Sequence, residues 1–408
     1  MAINIKNLEE RIQKKAHVVD SNTSVDDLSD MVEAALLLTG SLKTYADSSE
    51  LPTATGSNEK IGFIQNIKAI KFNNGKEWVT TASGEVQAPT GPGAPAGTGT
   101  YYGTNFGYNF GGVNASTPTR NQIQKISFAS DTDATDQGNL ITVNGKSTGG
   151  GSATDAYNIG GYTNPSTYSN SIEKFPYASG VDATDTGNDI TAYGIRNTHS
   201  EMIGNRTDIY MAGGQGPTAP SPSDLFDIRK FAAASDGSTV SLTGDILPSG
   251  NTTGHSGHSS TTHGYMVGSS SNVIQKFPFA SDGNATDVAD LNYSDTALSG
   301  TSSADHGYTT GGSGAGAPNY YRRNISKFTF ASDANATDVG DKQRYNTNHT
   351  GVSASDYGYI CGGFGGPGGG GPTSGQTYIE KYSHTSDGNS TVVGDMTAGH
   401  YDAASSQH

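Results

Sequence analysis

The stretch Ile274–Asp287, IQKFPFASDGNATD, decides the fold because close copies of it recur along the chain. The copies are IQKISFASDTDATD from Ile123, IEKFPYASGVDATD from Ile172, IRKFAAASDGSTV from Ile228, ISKFTFASDANATD from Ile325 and IEKYSHTSDGNSTV from Ile379. Their lysines are spaced by 49, 56, 46, 51 and 54 residues. Such a period indicates one supersecondary unit copied along the chain, and each copy needs neighbours to bury its apolar face. Function is therefore expected on the assembled surface.

Each repeat predicts four short antiparallel strands. A Ser/Thr/His-rich strand comes first, followed by a strand such as DYGYICGG and by a loop of variable length. The IxKF strand, an ASD turn and a short fourth strand ending in Gly-Asp or Gly-Asn complete the unit. Four strands in about fifty residues describe a propeller blade. The sequence therefore predicts a mainly β fold, a six-bladed β-propeller.

The first repeat lacks a convincing first strand, since Gly97–Asn105 matches the pattern poorly. The tail HYDAASSQH from His400 instead aligns with HSGHSSTTH from His255, which leads directly into a second strand. We therefore predict that the C-terminal strand completes the first blade. Closing the ring in this way removes the open edges of the sheets.

The residues before the repeats predict a small separate anchor. Ile5–Ala16 and Ser24–Thr44 have helical character, and Lys60–Thr81 predicts a β-hairpin that turns at Asn73, Asn74 and Gly75. A stretch rich in proline and glycine follows. The predicted domains are a helical anchor at 1–50, a hairpin module at 51–86, a linker at 87–105 and the propeller at 106–408.

Charge and composition limit the function classes. The formal net charge of −15 opposes extended contact with a phosphate backbone, so we expect no nucleic-acid partner. Neither an export signal nor an apolar run long enough to span a bilayer is found, so we expect a soluble protein without membrane insertion. Cys361, the only cysteine, lies in YICGG and is predicted to be a buried strand residue.

Paired glycines follow the second strand of most repeats, for example Gly213 and Gly214, and phrases such as SNSIEKF come next. A histidine stands about ten residues before the tyrosine of the second strand, as His255 does before Tyr265. These features resemble kelch repeats over roughly Phe106 to His408. The chain departs from the kelch pattern in carrying no tryptophan late in each repeat. The resemblance implies a six-bladed kelch-like β-propeller.

The whole layout also resembles structural proteins of marine tailed bacteriophages, including those that infect cyanobacteria. A short helical start, a hairpin of the KFNNGKEW type and tandem KFPFASDGNATDV units carry this likeness. It implies a virion component, such as a tail fibre or tail-associated adhesin, assembled in the bacterial cytoplasm. The implied partners are other virion proteins, bound through residues 1–86, and further copies of the chain, since fibres are often trimers.

Two sets of polar residues are compatible with metal binding and with a structural role. The ASD turns alternate oxygen-bearing side chains, as in Asp131, Asp133 and Asp136, but they lack the glycine and the terminal bidentate acid of a calcium loop. Asx turns explain them equally well. His199, His255, His349 and His400 recur at similar positions of the repeat, too far apart around a ring for one zinc site. We expect structural roles for both sets, and neither a metal nor a cofactor.

The loop between the second and third strands breaks the repeat. It is short in GSSSNV and long in GSGAGAPNYYRRN, and insertions of this kind project from one face, which is often the binding face. The candidate binding residues lie in the second of these loops: Asn319, Tyr320, Tyr321, Arg322 and Arg323. Their aromatic rings suit stacking on sugars and their guanidinium groups suit anions. Packing against a neighbouring virion subunit explains them equally well.

No arrangement of nucleophile and base or of paired carboxylates stands out from the repeat, so we expect no enzyme. The sequence favours a phage structural protein that is anchored by its N-terminal region and presents the propeller to a host-surface glycan. Two alternatives stay open at this point. One is an architectural capsid or tail decoration protein without a receptor, and the other is a glycan-processing enzyme.

Overall fold

A computed structural model of the chain describes residues 44–45, 61–64, 69–73, 78–80, 102–114, 120–164, 167–178, 180–190, 203–216, 223–238, 240–248, 254–314, 321–366 and 374–408. The chain divides into two compact units, Met1–Ala94 and Pro95–His408. The division falls within the stretch rich in proline and glycine.

The first unit contains one small sheet of four strands in the order β1-β2-β3-β4. The strands are β1 (Thr44–Tyr45), β2 (Ile61–Ile64), β3 (Ala69–Asn73) and β4 (Trp78–Thr80). β3 and β4 pair antiparallel with Asn73 opposite Trp78, as expected of the hairpin. The predicted helices lie outside the described residues except at Thr44, where the prediction is wrong. Thr44 pairs in parallel with Phe63 in β2 because a β-branched residue suits a strand.

The second unit is a six-bladed β-propeller, and each blade is a four-stranded antiparallel sheet with strands a to d from the axis outwards. Blade 1 consists of β34 (Ala404–Gln407), β5 (Phe106–Phe110), β6 (Arg120–Ser127) and β7 (Thr135–Asn144). Blade 2 consists of β8 (Thr148–Gly151), β9 (Asp155–Ile159), β12 (Ser171–Pro176) and β13 (Thr184–Asp189). Blade 3 consists of β14 (Ile203–Gly204), β15 (Asp208–Ala212), β18 (Asp227–Ala232) and β19 (Ser241–Asp245).

Blade 4 consists of β20 (His255–Ser259), β21 (His263–Gly268), β22 (Ser271–Pro278) and β23 (Thr286–Asp295). Blade 5 consists of β24 (Ser299–Ser302), β25 (His306–Thr310), β26 (Asn324–Thr329) and β27 (Thr337–Asp341). Blade 6 consists of β29 (Thr350–Ser353), β30 (Tyr357–Cys361), β32 (Gln376–Ser383) and β33 (Thr391–His400). Short ribbons lie outside the blade sheets: β10 (Tyr162–Asn164) with β11 (Thr167–Tyr168), β16 (Gln215–Gly216) with β17 (Ser223–Asp224), and β28 (Tyr345–Thr347) with β31 (Phe364–Gly366). A 3-10 turn covers Ala233–Ser235.

The C-terminal strand completes blade 1, which confirms the predicted closure. β34 pairs antiparallel with β5, with Ala404 opposite Phe110 and Gln407 opposite Gly107. The main-chain oxygen of His408 also accepts hydrogen bonds from the three successive N–H groups of residues 104–106. Gly103 donates to Ser353 O at 2.7 Å. Residues 103–105 are therefore hydrogen-bonded to strands of the propeller.

A buried tyrosine from strand b fills each junction between blades. The six tyrosines are Tyr108, Tyr157, Tyr210, Tyr265, Tyr308 and Tyr359, and none is more than 1% exposed. Four of their hydroxyl groups donate to a main-chain oxygen of the next blade, as Tyr108 does to Tyr177 O at 3.1 Å and Tyr308 does to His384 O at 2.8 Å. A buried phenol needs such an acceptor, and the ring supplies most of the apolar area. The repeat is thus a device for joining blades.

The inner strands pack against one another through glycine. A Cβ atom built on Gly149 would lie 2.0 Å from Ser405 O in the neighbouring inner strand, and one on Gly351 would lie 2.1 Å from Gly300 O. No larger residue fits these positions without movement of the backbone. The inner strands are therefore closely packed around the axis.

Lys342 occupies a core position that is apolar in the other blades. It directly follows Asp341, and the matching residues are Leu140, Ile190, Ile246, Leu291 and Met396, all buried. The Lys342 side chain is fully buried, and its Nζ donates to Asn346 O at 2.6 Å and lies 3.4 Å from His349 Nδ1. Burial lowers the pKa of Lys342 to about 7, against the opposing influence of Glu380. Blade 5 thus departs from the repeat in its core.

Candidate functional site

The two faces of the propeller are built from different connections. The a–b turns and the ASD turns between strands c and d form one face, here called the turn face. The b–c loops and the d–a crossings form the other, here called the loop face. The b–c loops range from two residues in blade 4 (269–270) to fourteen in blade 3 (213–226) and in blade 6 (362–375). The departures from the repeat that the sequence reveals are therefore concentrated on the loop face.

The ASD turns of the turn face form ion pairs between neighbouring blades, here called latches. In five blades the lysine of strand c pairs with the aspartate of the next blade's turn. The pairs are Lys174–Asp236, Lys230–Asp282, Lys276–Asp333, Lys327–Asp387 and Lys381–Asp131, with nitrogen–oxygen distances of 2.6 to 3.0 Å. At the remaining junction the matching turn residue is Gly180, and Lys125 Nζ lies 3.8 Å from the centre of the Phe106 ring.

A second contact is made in five of the six turns by the Asn or Asp two residues further on. Asn284 Oδ1 accepts from Asp245 N at 3.0 Å, and Asp133 Oδ1 accepts from Asp395 N at 3.0 Å. These bonds support the structural interpretation of the oxygen-rich turns. Among the residues that the structure describes, no three His, Cys, Asp or Glu side chains are grouped so as to hold a metal ion.

The predicted binding cluster lies on the loop face, in the b–c loop of blade 5. Asn319 and Tyr320 are outside the described residues. Tyr321 forms a bridge with Ser313 across the base of the loop. Arg322 Nε lies 2.8 Å from a carboxylate oxygen of the buried Asp295, and its guanidinium carbon lies 4.3 Å from the centre of the Tyr293 ring. Arg322 is therefore fixed between a carboxylate and an aromatic ring.

Arg323, the last residue of the cluster, is held in a similar way. It pairs with Asp341 at 3.2 Å, and its guanidinium lies over the Tyr345 ring at 4.9 Å. A third stack follows in the same region, where Arg344 lies 4.1 Å from the centre of the Tyr378 ring. We call these three stacked pairs the Arg/Tyr rim: Tyr293–Arg322, Tyr345–Arg323 and Tyr378–Arg344. The two arginines of the predicted cluster thus belong to a larger set, three tyrosines and one arginine of which sequence reasoning missed.

The axial end of the loop face is crossed by a chain of backbone hydrogen bonds. Five equivalent residues of the d–a crossings have φ between +53° and +78°: Lys146, Gly254, Ala297, Asn348 and Asp402. The N–H group of each of four of them donates to the C=O group of the equivalent residue in the preceding blade, at 2.6 to 3.2 Å. We call these residues the axial ring. The sixth crossing lies outside the described residues.

The described histidines that recur in the repeat are buried and have hydrogen-bond partners. His255 Nε2 lies 3.1 Å from Ala212 O, and His349 Nε2 lies 2.9 Å from Thr310 Oγ1. Burial and the nearby Lys342 hold the pKa of His349 well below its usual value. His400 was predicted to match His255, and this is wrong, because it ends outer strand β33 of blade 6, three residues before the matching position. His199 lies outside the described residues.

Cys361 is fully buried in β30, as predicted, and burial raises the pKa of its thiol. A buried neutral thiol is inert as a nucleophile. In the described part of the chain, no helix has both the length and the apolar character needed to cross a membrane. Comparison of the sequence with models of protein families and with curated proteins gives no match.

Proposed function

We propose that this chain is a non-enzymatic structural protein of a tailed-phage virion, whose kelch-like propeller binds a glycan of the host surface through its loop face. The observation that carries the proposal is the contrast between the faces. The turn face repeats one set of bridging contacts, while the b–c loops differ from blade to blade. Variable loops on a rigid ring are a common basis for recognition.

The Arg/Tyr rim supports a polar ligand. Its tyrosine rings are half-buried, and stacking and ion pairs hold the guanidinium groups of Arg322 and Arg323. Side chains that are already ordered lose little conformational entropy when a ligand binds. Sugars use both the hydrogen-bonding edge and the aromatic face of such a surface.

A decoration protein without a receptor is the second candidate. Three of the most exposed large apolar side chains lie near the junction of blades 1 and 2: Ile141 at 57%, Val143 at 42% and Val181 at 44% exposure. Exposed aliphatic side chains that lie together favour contact with another protein. A virion subunit would be such a partner.

Adsorption of the full chain to bacterial strains that differ in surface polysaccharide tests the proposal. We expect selective binding without release of sugar into the supernatant. Tyr321→Ala should weaken this binding, whereas Tyr357→Ala, a tyrosine exposed on the turn face, should leave it unchanged. Released sugar would identify an enzyme. Failure to adsorb to any strain would remove the receptor and leave decoration.

A further inference from the structure

A small depression lies at the axial end of the loop face. Polar side chains from three neighbouring crossings line it, namely Lys146, Ser147, Asn348, His349 and Asp402. Thr350, Ser405, Leu298 and three alanines complete the lining. Its enclosed part holds a group about the size of one water molecule.

The polar residues of this axial depression are not found at every equivalent position of the repeat. Of the described members of the axial ring, three in succession carry polar side chains, Asn348, Asp402 and Lys146, whereas Gly254 and Ala297 do not. Asn348 donates to one carboxylate oxygen of Asp402, and Lys146 Nζ lies 3.8 Å from the other. The carboxylate is only 3% exposed. Amide, carboxylate and ammonium groups are thus held side by side.

A buried hydroxyl in the same wall has no partner. Ser147 is 2% exposed, and its Oγ makes no hydrogen bond. The equivalent residues of blades 5 and 1 are Leu298 and Ala403, so an apolar residue fits this position of the fold. An unpaired buried hydroxyl lowers stability unless something else occupies its hydrogen-bonding sites. The Ser147 hydroxyl is therefore available to a ligand that enters the depression.

We propose that the axial depression receives a hydroxyl group of a neutral sugar residue at the end of a glycan chain; this rests on the proposed function. The charged side chains that line it, one ammonium and one carboxylate, sum to zero, so neither an anionic nor a cationic ligand is favoured. A sugar hydroxyl both donates and accepts, which matches Asp402, Ser147 and Lys146. The aliphatic side then packs on the C–H groups of the sugar ring.

Saturation-transfer NMR on the full chain tests this inference with the methyl glycosides of glucose, galactose and mannose, and with methyl glucuronide as the anionic probe. We expect a neutral glycoside to bind. Ser147→Ala should weaken it by about tenfold, the value of one hydrogen bond, while folding stays unchanged or improves. Asp402→Asn should weaken it as well. Asp305→Asn, an exposed acid on the turn face, should bind as the unaltered chain does.

The outcomes separate this inference from the proposed function. If Tyr321→Ala abolishes glycoside binding and Ser147→Ala does not, the glycan binds at the b–c loop of blade 5 alone, and the axial inference is wrong while the function stands. Binding of methyl glucuronide in preference to the neutral glycosides also overturns it. If neither glycosides nor isolated surface polysaccharide bind, both proposals fail. Should Asp402→Asn not fold, Ser147→Ala decides the question.

Discussion

The turn face and the loop face are carried by the same six blades but follow different rules. On the turn face, Lys230–Asp282 and Lys276–Asp333 are copies of one contact. On the loop face, blade 4 turns in two residues, Ser269 and Ser270, while blade 5 extends its loop to Arg323. Where the repeats agree they join blades, and where they differ they shape a surface. We therefore expect the turn face to contribute to stability and propose the loop face for recognition.

Removal of Ala404–His408 should have the largest effect on the stability of the propeller. It deletes β34, leaves blade 1 one strand short and removes the contacts of that strand with the inner strands of blades 2 and 6. We expect the propeller to lose most of its free energy of unfolding, which is about 5–15 kcal/mol for a domain. Urea unfolding followed by circular dichroism measures the loss. Removal of residues 367–371 from the b–c loop of blade 6 is the matched control and should change little.

Gly149→Ala should cause the second-largest loss of stability, because the added Cβ meets the backbone of an adjacent inner strand. Overpacking against a rigid neighbour costs roughly 1–3 kcal/mol. Gly180→Ala is the control, since its Cβ would approach no atom closer than 3.4 Å. Thermal unfolding should show a clear drop for the first variant only. Equal stability of both variants would mean that the inner strands can separate, contrary to the close packing described.

Lys342→Met tests the core of blade 5. The pKa of Lys342 is about 7 in the folded chain and near 10.5 when unfolded, so the unfolded state binds more protons between these values. Stability of the unaltered chain should therefore rise as pH increases above 7, by up to about 1.4 kcal/mol per pH unit. The methionine variant should be more stable at pH 7, and this rise should be absent from it.

Urea midpoints measured from pH 6.5 to 9 check this prediction, below the range in which the buried tyrosines ionise. Leu291→Met is the control for the substitution itself, since it changes an apolar residue at the matching position of blade 4. A pH dependence that persists in Lys342→Met would assign it to another group.

Gly180→Asp should have the smallest effect, and it would extend the latch to the sixth junction. The new carboxylate would face Lys125, which has only aromatic contacts here. Partly exposed ion pairs contribute about 0–1 kcal/mol, so we expect a gain of that size. The gain should vanish in the double variant with Lys125→Met. A larger loss instead would show that the turn of blade 2 does not accept an aspartate.

The repeats predicted the blades because Tyr265 and its copies recur in a fixed frame, and they predicted the closure because the tail from His400 resembles the first strand of another repeat. The Arg/Tyr rim was only partly predictable. Arg322 stacks on Tyr293 and Arg344 on Tyr378, and such pairs form between residues that are distant in sequence. The axial ring was not predictable at all. Lys146 and Ala297 adopt a positive φ that their residue types rarely show, and Gly254 alone of the five residues is a glycine.

The position of β34 also has a consequence for how the protein is made. β5 is translated early, yet its partner is formed by Ala404–Gln407, roughly 300 residues later. At about 5–20 residues per second, a ribosome needs tens of seconds to cover that distance. During this time the inner edge of β5 has no partner strand, and blade 1 lacks strand a. We expect nascent chains to depend on chaperones until the last strand emerges.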